Sequence, residues 1–473
     1  MVATQPVGGV PAFVRYPTYP EFFDSPGQQA SHGVRPRTFV LRLFPRSLQR
    51  PNDPTQTQQR LLDANPTRVR QSLSDRNQAG SFGTDGGYLV DQRGHFVFYQ
   101  IHVNPAFVQF IRKENLSTAE GIRQLNVDAN PPTPTGTPLQ DLTFLGSDDD
   151  IKAGNNTNIA EYKSAWMIVD KKHPPRNYFV VDARVPHFVV AGNTLAQKMV
   201  KGVPQFDDVK VALLALHVVF TLPGHPEMIW STFEHVHETA KGEVVRDNAP
   251  ALSENPSLNK PGPDEEVSPD NFTLYKAHTL RKDANTAKDL PDIVQYWDEA
   301  SQSFSKGQGF QTSVYRPFPG SKTDASCSTH CEEDDEIVAI NDNATAMFKD
   351  AQKRGLIKVD DKRSNYRFVG AIWLDQPVSG ASPSFTRKQS FGIDKDKSTD
   401  DPGQALAGEG RLGSTAMESF TEDDNDSPNC FSCHDTKVIR HNSPVLQPAR
   451  LNVSHVLSKF LVDQKAQPDT PQK

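Results

Sequence analysis

Stretches in which apolar and polar residues alternate recur through the middle of the chain, and this period of two predicts β-strands. The most regular stretch, residues 86–104, predicts a β-hairpin, because the alternation runs on both sides of a turn at 91–94. Further strands are predicted at 38–44, 160–170, 177–185 and 366–374.

One stretch, residues 207–223, is apolar almost throughout instead of alternating. Its Val and Phe content and the Pro at its end predict a buried strand, with a helix as the alternative. Residues 227–236 predict its antiparallel neighbour, across the Pro-Gly-His-Pro turn at 223–226. The two would form a strand pair in the interior of the protein.

Helical spacing of apolar residues is found at 105–116, at 336–355 and at 451–464, and the second of these is the clearest helix. A Pro-rich polar stretch at 241–272 predicts a surface insertion. Residues 376–411 are rich in Gly, Ser and Asp and predict a loop. Helices are therefore expected to be few.

These elements together predict an α+β fold that is β-rich and has long Pro-rich loops. The 37 Pro among 473 residues favour strands, turns and ordered loops over a helical bundle. We expect residues 1–80 to form an irregular lead-in, 81–375 a β-rich scaffold, and 376–473 a loop and a C-terminal segment packed on that scaffold.

The overall charge and hydropathy exclude several functional classes. The net charge is -7 and no basic face is indicated, so nucleic acid is not an expected partner. No run of 18 apolar residues is found, so no transmembrane segment is expected. Residues 1–23 lack a basic region followed by an apolar core, so the sequence as given contains no signal peptide.

The four Cys residues lie in two close pairs, Cys327 with Cys331 and Cys430 with Cys433. His434 directly follows the second pair, which gives the pattern Cys-x-x-Cys-His. Two thiols at this spacing can each form a thioether with one vinyl group of haem, and the adjacent imidazole can then bind the iron. The pattern favours one covalently attached haem c with His434 as the proximal ligand.

Two other interpretations of this motif remain open. A zinc site would need Cys327 and Cys331 as its second pair, but the loop between the pairs, on the order of 100 residues, is long for a compact zinc site. A redox dithiol would need a thioredoxin-like context, whereas an acidic turn precedes Cys430. Cys327 and Cys331 could instead form a local disulfide in an oxidising compartment, which agrees with haem attachment outside the bacterial cytoplasm.

The position of the motif limits how a haem pocket could be completed. Only 39 residues follow His434, and none of them is Met. The pocket would therefore be built partly from upstream chain, which indicates one large unit with a haem at its C-terminal end. Met417 and His455 are the leading candidates for the sixth iron ligand, with other side chains or an open site as alternatives.

Several blocks resemble a group of large bacterial proteins that carry a single c-type haem. The blocks are GGYLVDQRGHFVFYQIHVN, EYKSAWMIV, the strand pair ALLALHVVFTLPGHPEMIWSTFEHV, and LGSTAMESFTEDDNDSPNCFSCHD, and they are scattered over about residues 80–460. Phe220 stands where the group commonly has Lys, and Asp247–Pro250 is separated from Glu234-His235 by an insertion. The resemblance implies a c-type haem protein and does not imply a particular reaction.

The strand pair also supplies candidates for acid–base chemistry. On a strand, Trp230 and Glu234 would share a face and His235 would point the other way. Glu234 and His217 could form an acid–base pair beside the haem, or a buried structural pair. The catalytic candidates are therefore His217, Glu234 and His235.

The sequence leaves two main functional classes. One is electron transfer by a haem with two protein ligands, with a redox protein as partner. The other is a peroxidase- or oxidase-like haem enzyme with an open distal site and a small oxidisable substrate. A zinc-stabilised structural protein is a third class. We expect the protein to be periplasmic or secreted, although the given sequence has no signal peptide.

Overall fold

A computed structural model provides the fold. It describes residues 11–18, 40–42, 97–113, 115–118, 158–169, 175, 177–191, 194–222, 225–238, 244–246, 294–298, 303–306, 335–374, 406–408, 414, 416–417, 454 and 456–457. The described part is β-rich with few helices, as the sequence predicts.

The strands in chain order are β1 (Val40–Arg42), β2 (Phe98–Val103), β3 (Ala160–Ile168), β4 (Val180–Pro186), β5 (Phe188–Ala191), β6 (Thr194–Gln197), β7 (Met199–Val200), β8 (Val203–Pro204), β9 (Phe206–Leu222), β10 (His225–Glu238), β11 (Val244–Arg246), β12 (Val294–Asp298), β13 (Ser303–Lys306), β14 (Tyr366–Leu374) and β15 (Leu406–Gly408). The helices are α1 (Pro105–Lys113) and α2 (Asp335–Lys353), with 3₁₀ helices at Ala12–Arg15 and Lys362–Asn365. Among the described helices, none is long and apolar enough to cross a membrane.

The main sheet is organised around β9. Within the described residues it contains nine strands, and all its pairings except that of β1 with β4 are antiparallel. One edge of β9 pairs with β3, while the other edge pairs first with β4 and then with β10. A smaller sheet contains β12, β13, β6 and β5 in that order.

Both faces of the main sheet are buried around Val211–Val219 of β9, whereas Phe206–Lys210 at the start of that strand is exposed or partly exposed. One face carries an apolar cluster that includes Phe98, Tyr162 and Trp166. The other face carries a second cluster that includes Tyr99 and Met167. A strand covered on both faces needs apolar residues at successive positions, which explains why β9 is continuously apolar from Val211 to Leu216.

Local sequence explains where the two helices begin or end. The Asn104 side chain accepts a hydrogen bond from the Phe107 amide at 3.0 Å, and Pro105 occupies the first helical position of α1. After α2, Gly355 takes a left-handed conformation with φ of 66°, and the Leu356 amide donates to the Ala351 carbonyl.

Helix α2 is attached to the edge of the main sheet through one buried side chain. The Asn341 amide nitrogen donates to the Phe368 carbonyl at 2.8 Å, and its oxygen accepts from the Phe368 amide at 3.0 Å. Nearby, Arg363 and Asp361 form a buried ion pair at 2.6 Å in the turn before β14. Burial acts to raise the pKa of Asp361, but the hydrogen bonds and charge of Arg363 outweigh it and hold the pKa below its ordinary value.

The structure confirms most of the predicted elements and corrects some details. Strands β3, β4, β9, β10 and β14 and both helices lie where the sequence predicts them. The stretch predicted as a surface insertion contains β11, which pairs with β10, and the predicted loop at 376–411 contains β15, which pairs with β14. The first arm of the predicted 86–104 hairpin lies outside the described residues, while its second arm, β2, pairs with β3.

Candidate functional site: a buried polar row on one sheet face

A line of polar side chains crosses three neighbouring strands of the main sheet. The register pairs Lys163 of β3 with His217 of β9, and His217 with Thr232 of β10. Glu161 and Glu234 lie two positions from Lys163 and Thr232, so they share the same face and flank the line from opposite sides. We call these five residues, Glu161, Lys163, His217, Thr232 and Glu234, the polar row.

Four members of the polar row are buried and Glu161 is partly buried, although four of the five can carry charge. Lys163 and His217 are each 8% exposed, and Glu234 is 1% exposed. Lys and Glu are rarely enclosed to this extent unless their charges are compensated or used. A concentration of such groups on one face therefore marks this face as the candidate site.

Specific contacts hold members of the row in place. His217 Nδ1 lies 2.8 Å from Thr232 Oγ1, a hydrogen bond across the β9–β10 pair. Lys163 Nζ lies 5.4 Å from the centroid of the Tyr99 ring, within the range of a cation–π interaction. These contacts fix the direction in which the imidazole and the ammonium group point.

The carboxyl group of Glu161 has a raised pKa. Burial raises the pKa of its carboxyl group to about 7, although the Ser454 hydroxyl, which donates to Oε2 at 2.7 Å, and the Lys163 ammonium both oppose the shift. A carboxyl group with a pKa near 7 exchanges protons readily at neutral pH. The row therefore contains a group suited to proton donation and acceptance.

Chain from the C-terminal part of the protein packs on this same face. The Tyr99 hydroxyl donates to the Ala416 carbonyl at 2.8 Å, and Met417 lies fully buried in the apolar cluster that contains Ala165 and Ala215. Ser454 reaches the face through its hydrogen bond to Glu161. Two points of the chain, one before and one after the Cys-x-x-Cys-His motif, thus contact one sheet face.

His235 lies on the opposite face from the polar row, as strand alternation requires. Its ring stacks on Tyr178, with the ring centroids 3.5 Å apart, and meets the edge of Tyr366. Its Nε2 lies 3.3 Å from the Asn177 carbonyl. The rings that contact His235 belong to buried or partly buried tyrosines. His217 and Glu234 lie on the other face of the sheet and are therefore separated from it.

Several of the residues singled out in the sequence lie outside the described part of the chain. These are Cys430, Cys433 and His434 of the motif, the ligand candidate His455, and the Cys327 and Cys331 pair. Among the residues that are described, no three His, Cys, Asp or Glu side chains come together as a metal-binding group.

The sequence interpretation missed Glu161, Lys163 and Thr232 as members of the site. On their strands these polar residues look like the solvent side of an alternating pattern, whereas in the structure Met417 and Ser454 pack on that face. Glu161 and Lys163, two charged residues two positions apart on a strand whose remaining residues are apolar except for Ser164, were the signal that could have been followed. They align with His217 only once the register is known.

Comparison of the chain with protein-family models, with curated proteins and with solved structures gives no match.

Proposed function

We propose that the protein is a c-type haem protein that holds one covalently attached haem and transfers single electrons. The observation that carries this proposal is the motif Cys430, Cys433 and His434, whose donor set, two thiols and one imidazole at fixed spacing, fits haem c. We propose the periplasm as its location, because haem attachment in bacteria takes place outside the cytoplasm, and a redox protein as its partner.

The arrangement of the C-terminal chain supports this proposal. Met417 precedes the motif and Ser454 follows it, and both pack on the face that carries the polar row. Chain on both sides of the motif would thus bring an attached haem toward this surface. A pocket completed by the scaffold is therefore the arrangement that we propose.

When bound, the haem would supply a one-electron couple at its iron, which His434 would hold on the proximal side. Met417 or His455 would bind the far side. Met417 lies on the appropriate sheet face and is shielded from water, and a thioether ligand in an apolar environment raises the reduction potential.

A second candidate function is a haem enzyme acting on a small oxidisable substrate, and the polar row is the observation that favours it. His217, fixed by Thr232, could accept or donate a proton, and Glu161 has a pKa near the working pH. Lys163 and Glu234 would set the local charge. Simple electron transfer requires no such set of acid–base groups.

Covalent attachment is tested by expressing the chain with haem-maturation machinery and measuring the intact mass after acid-acetone extraction. We expect the mass of the polypeptide plus one haem, with attachment lost or weakened in Cys430→Ser and Cys433→Ser. Cys327→Ser is the matched control and should keep its haem. A bare polypeptide mass, or stoichiometric zinc with no haem absorption, would refute the proposal.

The far-side ligand separates the two functional classes. Met417→Ala and His455→Ala should be compared with Met167→Ala, which removes another buried Met from the same cluster. Loss of a low-spin signature in Met417→Ala or His455→Ala alone supports electron transfer. A high-spin wild type that turns over peroxide, and loses turnover in Glu234→Gln, supports the enzyme instead.

A further inference from the structure

A short hairpin just before β9 is exposed. Strands β7 and β8 are joined by Lys201 and Gly202, whose φ angles of 50° and 77° match the two-residue turn that suits the twist of a hairpin. Every residue from Lys198 to Val203 is exposed. At its base, the Lys198 amide donates to the His187 carbonyl at 2.7 Å and the His187 amide donates to the Gln205 carbonyl at 2.9 Å, which ties the hairpin to the residue between β4 and β5.

The hairpin exposes apolar side chains on both of its faces. Val200 pairs directly with Val203, so they share one face, while Met199 points to the other. Their exposed fractions are 45%, 58% and 43%, and Phe206 just beyond is 39% exposed. Apolar residues gathered in this way usually mark a binding surface.

Exposure on both faces indicates what kind of surface the hairpin meets. A flat protein surface would cover one face of a two-stranded ribbon and leave the other in water. Lipid surrounds an inserted element from all sides. Each strand of the hairpin has two residues, so it reaches about 7 Å, which is the depth of the headgroup and upper acyl region of a bilayer.

The local charge favours anionic lipid. Lys198 and Lys201 are both exposed on the hairpin. The next acidic residues along the chain have basic side chains beside them, since Asp207 lies 2.8 Å from His187 Nδ1 and Asp208 lies 2.9 Å from Arg184 Nε. The long Lys side chains can place their ammonium groups among lipid phosphates while the valines insert.

We propose that the β7–β8 hairpin docks the protein on a membrane surface that contains anionic lipid, with Val200 and Val203 inserted and Lys198 and Lys201 bound to phosphates. The proposal is independent of the haem. Docking of this kind would hold the protein close to redox components of the membrane.

The test is co-sedimentation of the full chain with vesicles of phosphatidylglycerol and phosphatidylcholine, and with vesicles of phosphatidylcholine alone. We expect binding to the mixed vesicles that weakens at high salt. The double variant Val200→Ser/Val203→Ser should bind at least about tenfold more weakly. Lys198→Gln/Lys201→Gln should also bind on the order of tenfold more weakly and lose the salt dependence.

The matched control is Leu356→Ser/Val359→Ser, which makes the same chemical change at residues that are 52% and 85% exposed after helix α2. This control should bind vesicles like the wild type. All variants are at exposed positions, and unchanged thermal melting checks that they are folded. Absence of vesicle binding, or equal binding by the hairpin variants, would overturn the proposal. So would a concentration-dependent dimer that only the hairpin variants abolish, because it would assign the hairpin to a second copy of the chain.

Discussion

Replacing Glu161 with Gln should change the pH dependence of stability in a direction that identifies the carboxyl group as buried. In the folded protein its pKa is raised from 4.5 to about 7, so folding favours the protonated form. The stabilising contribution is complete below pH 4.5, is lost as the pH rises toward 7, and is absent above it. Across this range the full effect is at most roughly 3 kcal/mol.

The Gln side chain resembles the protonated carboxyl and does not titrate. Glu161→Gln should therefore be close to the wild type in stability at pH 5 and more stable than the wild type at pH 8. The difference between the two pH values should be roughly 2.5 kcal/mol, and smaller if the partly exposed surface of the residue admits water. Urea denaturation of both proteins at each pH measures this quantity.

Two further variants make the test specific. Ser454→Ala removes the hydroxyl that stabilises the carboxylate, so it should destabilise the protein by about 1 kcal/mol more at pH 8 than at pH 5. Asp350→Asn alters an exposed carboxylate and should shift stability by less than about 0.5 kcal/mol at either pH. If Glu161→Gln has the same effect at pH 5 and pH 8, the carboxyl is hydrated and the reasoning about the polar row fails.

Other substitutions test single contacts by denaturation. Arg363→Met should cost about 3–5 kcal/mol because it leaves the Asp361 charge buried, whereas Arg354→Met, in an exposed pair, should cost less than about 0.5 kcal/mol; equal costs would contradict the buried ion pair. Thr232→Val should cost about 1–3 kcal/mol, since it keeps the volume but removes the hydrogen bond to His217, and Thr232→Ser should restore most of the loss. A Val variant as stable as the wild type would show that this bond contributes nothing.

The strands and helices that could be predicted from the sequence are those whose own residues show a clear pattern of apolar and polar positions. The apolar run of β9 from Val211 to Leu216 and the alternation of β4 follow directly from which faces are covered, because the run is buried at every position and β4 at alternate positions. The short strands β5 to β8 were missed because two to four residues are too few to establish a period. Strand β11 was missed because its Pro-rich surroundings indicate a loop, while pairing with β10 overrides them.

The candidate site was predictable only in part, because it depends on register. Strand alternation was enough to separate His235 from Glu234. Alignment of Lys163 with His217 requires knowledge of which residues face each other across β3 and β9, and the sequence of neither strand contains it. The haem interpretation of the Cys-x-x-Cys-His motif needed no fold, because the two thiols and the imidazole on which it rests lie within five consecutive residues, and it stays a prediction.

The attachment of Asn341 to Phe368 has a consequence for association between molecules. The edge of a sheet presents amides and carbonyls that can form hydrogen bonds with a strand of another molecule. Such pairing extends the sheet from one molecule to the next and is a route to polymers. Asn341 occupies both groups of Phe368, as a neighbouring strand would, and β15 occupies the edge further along, at Ile372–Leu374. A protein that lost this side chain could keep its interior packing and still become insoluble, through strand addition between copies.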